Sequence, residues 1–87
     1  MKKIEMYTKS HCPYCIRAKQ QLDSKGINYV EYEVSFDRAL QAEMQQRSNR
    51  RTVPQIFIDG EHIGGSDELM ALERSGELDL LLAGKAA

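Results

Sequence analysis

The chain has 87 residues, 41% of them hydrophobic and 29% charged, a composition that fits one small folded domain and argues against disorder. Twelve Lys and Arg against thirteen Asp and Glu leave a net charge of −1, which gives no general electrostatic reason to bind nucleic acid or a membrane surface. The longest apolar stretch, LLLA at 80–83, is too short to cross a bilayer, and MKKIEMYTKS lacks the apolar segment of a signal peptide. A cytoplasmic location is expected, and a monomer, since no further long apolar segment is present.

Ile4 and Met6 alternate with Glu5 and Tyr7 before the polar TKS, the period of a strand. Cys15, Ala18 and Leu22 then recur at helical spacing, with Pro13 suited to the first helical position and Gly26 to the position past the last turn, so a helix is predicted over 13–25. INYVEYEV at 27–34 is rich in β-branched and aromatic residues and predicts a second strand with Val30, Tyr32 and Val34 on one face. Asp37 is a plausible N-cap for a helix through Ala39, Leu40, Met44 and Arg47 that breaks at Ser48-Asn49.

QIFI and EHI, joined by Asp59-Gly60, carry the hairpin signal, because Asp-Gly tolerates the positive φ angles of a type I′ turn. A loop, an N-cap at Ser66, a short helix stopped by Gly76 and a last amphipathic turn or two in ELDLLL follow. The order is β-α-β-α-β-β-α with a short terminal helix, over a domain spanning 1–83 and a loose tail at 84–87. A right-handed crossover makes the first two strands parallel, and the hairpin is antiparallel, so a mixed sheet with helices on its faces results. The basic run RSNRR at 47–51 reads most simply as a solvated helix end and loop.

Cys12 and Cys15 are the only cysteines. A structural zinc site would have to draw on His11 and His62 as well, but His11 and Cys12 are adjacent and could hardly both aim at one tetrahedral ion. No metal is expected. A bridge closing so short a loop removes little chain entropy, which disfavours a structural staple. A cytosolic Cys-x-x-Cys beside a βαβ pattern reads instead as a redox pair. Cys12 precedes a helix whose free N–H groups and dipole stabilise a thiolate, with Lys9 and Arg17 adding positive charge nearby. Cys15 lies on the same helical face, within disulfide reach. Cys12 is the expected attacking thiol and Cys15 the resolving one. Tyr14 suits ordinary surface, but beside an exposed sulfur it can wall a ligand groove and offer a hydroxyl. His11 is expected to be an exposed bystander and His62 a sheet-face residue.

With CPYC at 12–15, TVPQIFIDG at 52–60 and GGSDEL at 64–69 in this order and spacing, the chain resembles the glutaredoxins over about positions 2–83. The resemblance implies a thioredoxin fold, α/β, with a four-stranded mixed sheet of order 2-1-3-4 flanked by helices and with Pro54 in the cis form. It implies glutathione as co-substrate, the main chain of Val53 in the Thr52-Val53-Pro54 stretch pairing with its cysteine moiety, and Lys9, with Arg51 as a second cation, meeting its glycine carboxylate. Gly65, Ser66 and Asp67 would receive the γ-glutamyl end, although Ser66 and Asp67 equally suit plain helix capping.

The reaction implied is glutathione-dependent reduction of protein disulfides and glutathione mixed disulfides. Two alternatives come with the resemblance, a dedicated electron donor to a reductase such as ribonucleotide reductase, and a carrier in which two chains share a [2Fe–2S] cluster; Pro13 argues against the cluster role. Some relatives carry a cysteine where Ser66 stands, so a regulatory disulfide there is unavailable to this chain.

Overall fold

The structure is a computed structural model and describes residues 2–83, so the tail expected at 84–87 lies outside the described residues. The elements follow the expected order: β1 (Ile4–Thr8), α1 (Pro13–Ser24), β2 (Val30–Glu33), α2 (Arg38–Ser48), β3 (Gln55–Ile58), β4 (Glu61–Gly64), α3 (Ser66–Ser75) and α4 (Glu77–Leu82). The sheet order is β2-β1-β3-β4, the thioredoxin-type arrangement. β1 runs parallel to β2, with Tyr7 opposite Tyr32, and antiparallel to β3, with Met6 opposite Ile56. The β3–β4 pair is also antiparallel, and its turn puts Asp59 at φ 49° and Gly60 at φ 82°, the positive pair that a type I′ turn demands.

Both faces of the sheet are covered. Ile4, Met6, Ile56 and Ile58 pack with Ala18 and Leu22 of α1, Leu69 of α3 and Leu78 of α4. Tyr7, Phe57 and Val34 pack with Met44 of α2 on the other face. Truncating a fully buried side chain such as Leu22 to Ala would cost about 2–5 kcal/mol, because the cavity collapses only partly.

Double coverage explains where the strand patterns mislead. The alternation in β1 marks a strand, yet all five residues are buried, Glu5 and Thr8 included. Glu5 tolerates this because the Arg47 guanidinium grips both its oxygens, at 3.1 and 3.2 Å, while the Tyr32 hydroxyl donates to Oε2 at 2.8 Å. β2 is shorter than the predicted 27–34, as befits an edge strand: Val34 is buried beyond its end, whereas Val30 is exposed.

Helix ends follow local chemistry. Asp37 caps α2 by accepting from the Leu40 N–H at 3.0 Å, and Asn49 closes it in the left-handed region at φ 58°. The cap of α3 is Gly65 and not the expected Ser66, which is the first helical residue. Glu68 explains the shift: its Oε1 reaches back to the Gly65 N–H at 2.8 Å and supplies the capping acceptor. Among the described residues no helix is long and apolar enough to cross a membrane.

Candidate active site

Cys12 is the N-cap of α1, with extended backbone (φ −101°, ψ 109°), and its Sγ accepts the Cys15 N–H at 3.3 Å. Pro13, at the start of the helix, has no N–H to offer that sulfur. The Cys12 thiol also faces the Val53 carbonyl oxygen, 3.9 Å away. The Val53–Pro54 peptide is cis, as the resemblance implied. His11, exposed as expected, holds φ 56° just before the cysteine.

Cys15 is buried at 1% exposure and Cys12 is half-buried, both as free thiols. Burial, and then the hydrogen bond with Cys12, push the Cys15 thiol up to about 12. One sulfur is thus accessible at a helix mouth while its neighbour is held protonated behind it. That asymmetry suits a nucleophile and a resolving thiol.

Beside them opens a cleft of about 260 Å³, lined by Tyr14 of α1, by Thr52, Val53 and Pro54, and by Gly65, Ser66 and Asp67 at the start of α3. Arg50 and Glu68 complete it. The two backbone walls approach closely: a Cβ on Gly65 would come within 3.1 Å of the Pro54 carbonyl oxygen. At Gly64, φ is +128° and a Cβ would meet the Glu68 carboxylate at 2.4 Å, so only glycine fits.

The sequence-derived residues are therefore partly gathered. Tyr14, Thr52, Val53, Pro54, Gly65, Ser66 and Asp67 share the cleft, whereas Lys9 and Arg51 are exposed and do not line it. Arg50 does, paired with Glu68 at 2.6 Å. Of the basic run RSNRR, read as a solvated helix end and loop, it is Arg50 and not Arg51 that lines the cleft. Arg17, expected to add charge near Cys12, instead donates from Nε to Ser66 Oγ and from Nη2 to Asp67 Oδ1, each at 2.9 Å, with its guanidinium 5.5 Å from the Tyr14 ring centroid. Glu68 was missed as well, although an acid three residues after a helix cap is a recognisable capping signal. Among the described residues no group of three or more His, Cys, Asp or Glu side chains could hold a metal ion.

The glutaredoxin family profile matches residues 4–63, which hold both cysteines and the Val53–Pro54 turn. The chain belongs to the glutaredoxin family. It is 54% identical over 82 residues to Glutaredoxin 3 of Escherichia coli strain K12, covering 94% of this chain and 99% of the relative. It is 47% identical over 83 residues to a glutaredoxin of Pseudomonas aeruginosa, covering 95% of this chain and 99% of that one.

Among solved structures, the glutaredoxin of Brucella melitensis superposes with a TM-score of 0.84 at 50% identity, over 100% of this chain and 96% of the other. A buckwheat glutaredoxin–glutathione complex gives 0.83 at 36% identity, over 99% and 83% of the two chains. Glutaredoxins are in general thiol-disulfide oxidoreductases, and the Cys12/Cys15 pair of this glutaredoxin is placed for that chemistry.

Proposed function

We propose that this glutaredoxin reduces mixed disulfides between glutathione and protein or small thiols, and protein disulfides, with glutathione as electron donor. Cys12 thiolate attacks the glutathione sulfur of the substrate disulfide, a Cys12–glutathione disulfide forms, and the substrate leaves as a thiolate that takes up a proton. A second glutathione thiolate then attacks that disulfide, releasing oxidised glutathione and restoring the Cys12 thiolate. In the two-thiol route, Cys15 loses its proton and attacks Cys12, expelling reduced glutathione, and two further glutathiones reduce the bridge.

The observation that carries this reading is the Cys12 sulfur at the mouth of α1, accepting the Cys15 N–H and touching the Val53 wall of an open cleft. The cleft's chemistry supports the ligand. Asp67 offers a carboxylate to an ammonium, the N-terminal turn of α3 offers N–H groups to a carboxylate, and Arg50 offers a cation. Lys9 and Arg51, exposed on the surface, are assigned to the glycine carboxylate. The buckwheat relative, solved as a glutathione complex, supports the same ligand.

Incubating Cys15→Ser with oxidised glutathione and weighing the intact protein tests the reading. One glutathione per chain, released by reductant and absent from Cys12→Ser, is the expected result. A failure of Cys12 to take up glutathione would refute it.

A further inference from the structure

Gln55 opens β3 with no exposed surface, and a buried amide is costly unless both ends are paired. Both are. Its Nε2 donates to the Thr52 carbonyl oxygen at 3.0 Å and to Thr52 Oγ1 at 3.1 Å. Its Oε1 lies 2.7 Å from Nε2 of His62, the residue on β4 that also packs its ring on Phe57 at 5.0 Å between centroids. Because the Gln55 oxygen can only accept, His62 Nε2 carries the proton in this contact.

The line of bonds runs from the edge strand, through the core, to the loop that walls the cleft. Thr52 is followed by Val53, whose carbonyl faces the Cys12 sulfur. Nothing in sheet formation requires this arrangement, since β3 and β4 pair through their backbones and an apolar side chain would fill the Gln55 site without needing partners.

We propose that His62 is a positioning residue: through the Gln55 amide it fixes the Thr52–Val53 backbone beside Cys12 and so sets the affinity for glutathione. The proposal rests on the glutathione reading above for its kinetic consequence but not for its structural one. His62 touches no substrate. It acts by holding the orientation of the Gln55 amide, without which the Thr52 carbonyl and hydroxyl lose their shared donor.

The test compares wild type, His62→Phe and His62→Gln. Phenylalanine keeps the stacking on Phe57 and removes the donor, and glutamine restores an N–H donor. The Michaelis constant for glutathione should rise about fivefold in His62→Phe with kcat within about twofold of wild type, the size of one neutral hydrogen bond. Backbone ¹⁵N relaxation should show Thr52 and Val53 becoming more mobile in the same protein, and His62→Gln should bring both quantities back.

An unchanged Michaelis constant and unchanged relaxation in folded His62→Phe would overturn the proposal and leave the glutathione reading intact. If wild type itself fails to turn over glutathione substrates, that reading fails and the relaxation alone decides this one. Should His62→Phe not fold, His62→Leu, which also removes the donor, is read by the same criteria.

Discussion

Arg17 reaches from α1 to Asp67 at the start of α3, its Nη2 lying 2.9 Å from Oδ1 while its Nε holds Ser66 Oγ at the same distance. The two side chains are 47% and 84% exposed, so water competes for the pair and its contribution to stability is small. Its weight falls on the cleft, where Asp67 is presented in one orientation. Asp67→Asn should therefore raise the Michaelis constant for glutathione about tenfold, as loss of one charge-assisted hydrogen bond does, while moving Tm by less than about 4 °C. Paired kinetics and thermal melts check this.

Cys15 should resist alkylation. Burial and the bond with Cys12 hold its thiol at about 12, so at pH 7 iodoacetamide should label Cys12 alone in native protein and both cysteines in denaturant, as peptide mapping will show. The raised value also has a thermodynamic sign. The unfolded chain gives up this proton near the ordinary thiol value of 9.0 and the folded chain only near 12, so this contribution is fully present below pH 9 and is lost as pH rises toward 12. Cys15→Ser should flatten that part of the alkaline stability profile. Tyr7, also pushed up to about 12 mainly by burial, contributes the slope that remains.

Arg47→Met should destabilise the fold by about 2 kcal/mol without touching the cleft, because it leaves the largely buried Glu5 carboxylate without its cation. Its bond to Arg47, followed by that to Tyr32, outweighs burial and holds the Glu5 carboxyl below the usual carboxylate range. A depressed carboxyl stabilises the fold above its unfolded value, and that stabilisation is lost as pH falls through the lowered folded value. The acid unfolding midpoint of Arg47→Met should accordingly move to higher pH, which circular dichroism at graded pH will show.

Gly64→Ala should cost about 1–3 kcal/mol and damage the cleft as well. The position has φ +128°, and the added carbon would displace the Glu68 carboxylate that caps Gly65 and pairs with Arg50. Denaturant titration and glutathione kinetics should both respond.

Much of this was legible in the chain. Pro13, Gly26, Asp37 and Asp59-Gly60 each act through local backbone chemistry, so helix starts, stops and the hairpin could be read residue by residue. Cys12 and Cys15 were legible for the same reason, being three apart across a helix start. The burial of Glu5 was not, because it depends on Arg47 arriving from α2, forty-two residues away. That Arg50 lines the cleft was not legible either, because a charge run does not encode which of its side chains meets Glu68. The pairing of Arg17 was not legible because its partners, Ser66 and Asp67, meet it only when α1 and α3 pack on the same sheet face.

In the proposed reaction Cys12 alone carries out exchange with glutathione mixed disulfides while Cys15 serves a separate resolving step. Its most direct test is the rate of reduction of a small glutathione mixed disulfide, coupled through glutathione reductase to NADPH oxidation, for wild type, Cys12→Ser and Cys15→Ser. Turnover within about tenfold of wild type is expected in Cys15→Ser and none in Cys12→Ser. Equal loss in both variants, with the proteins folded, would contradict it.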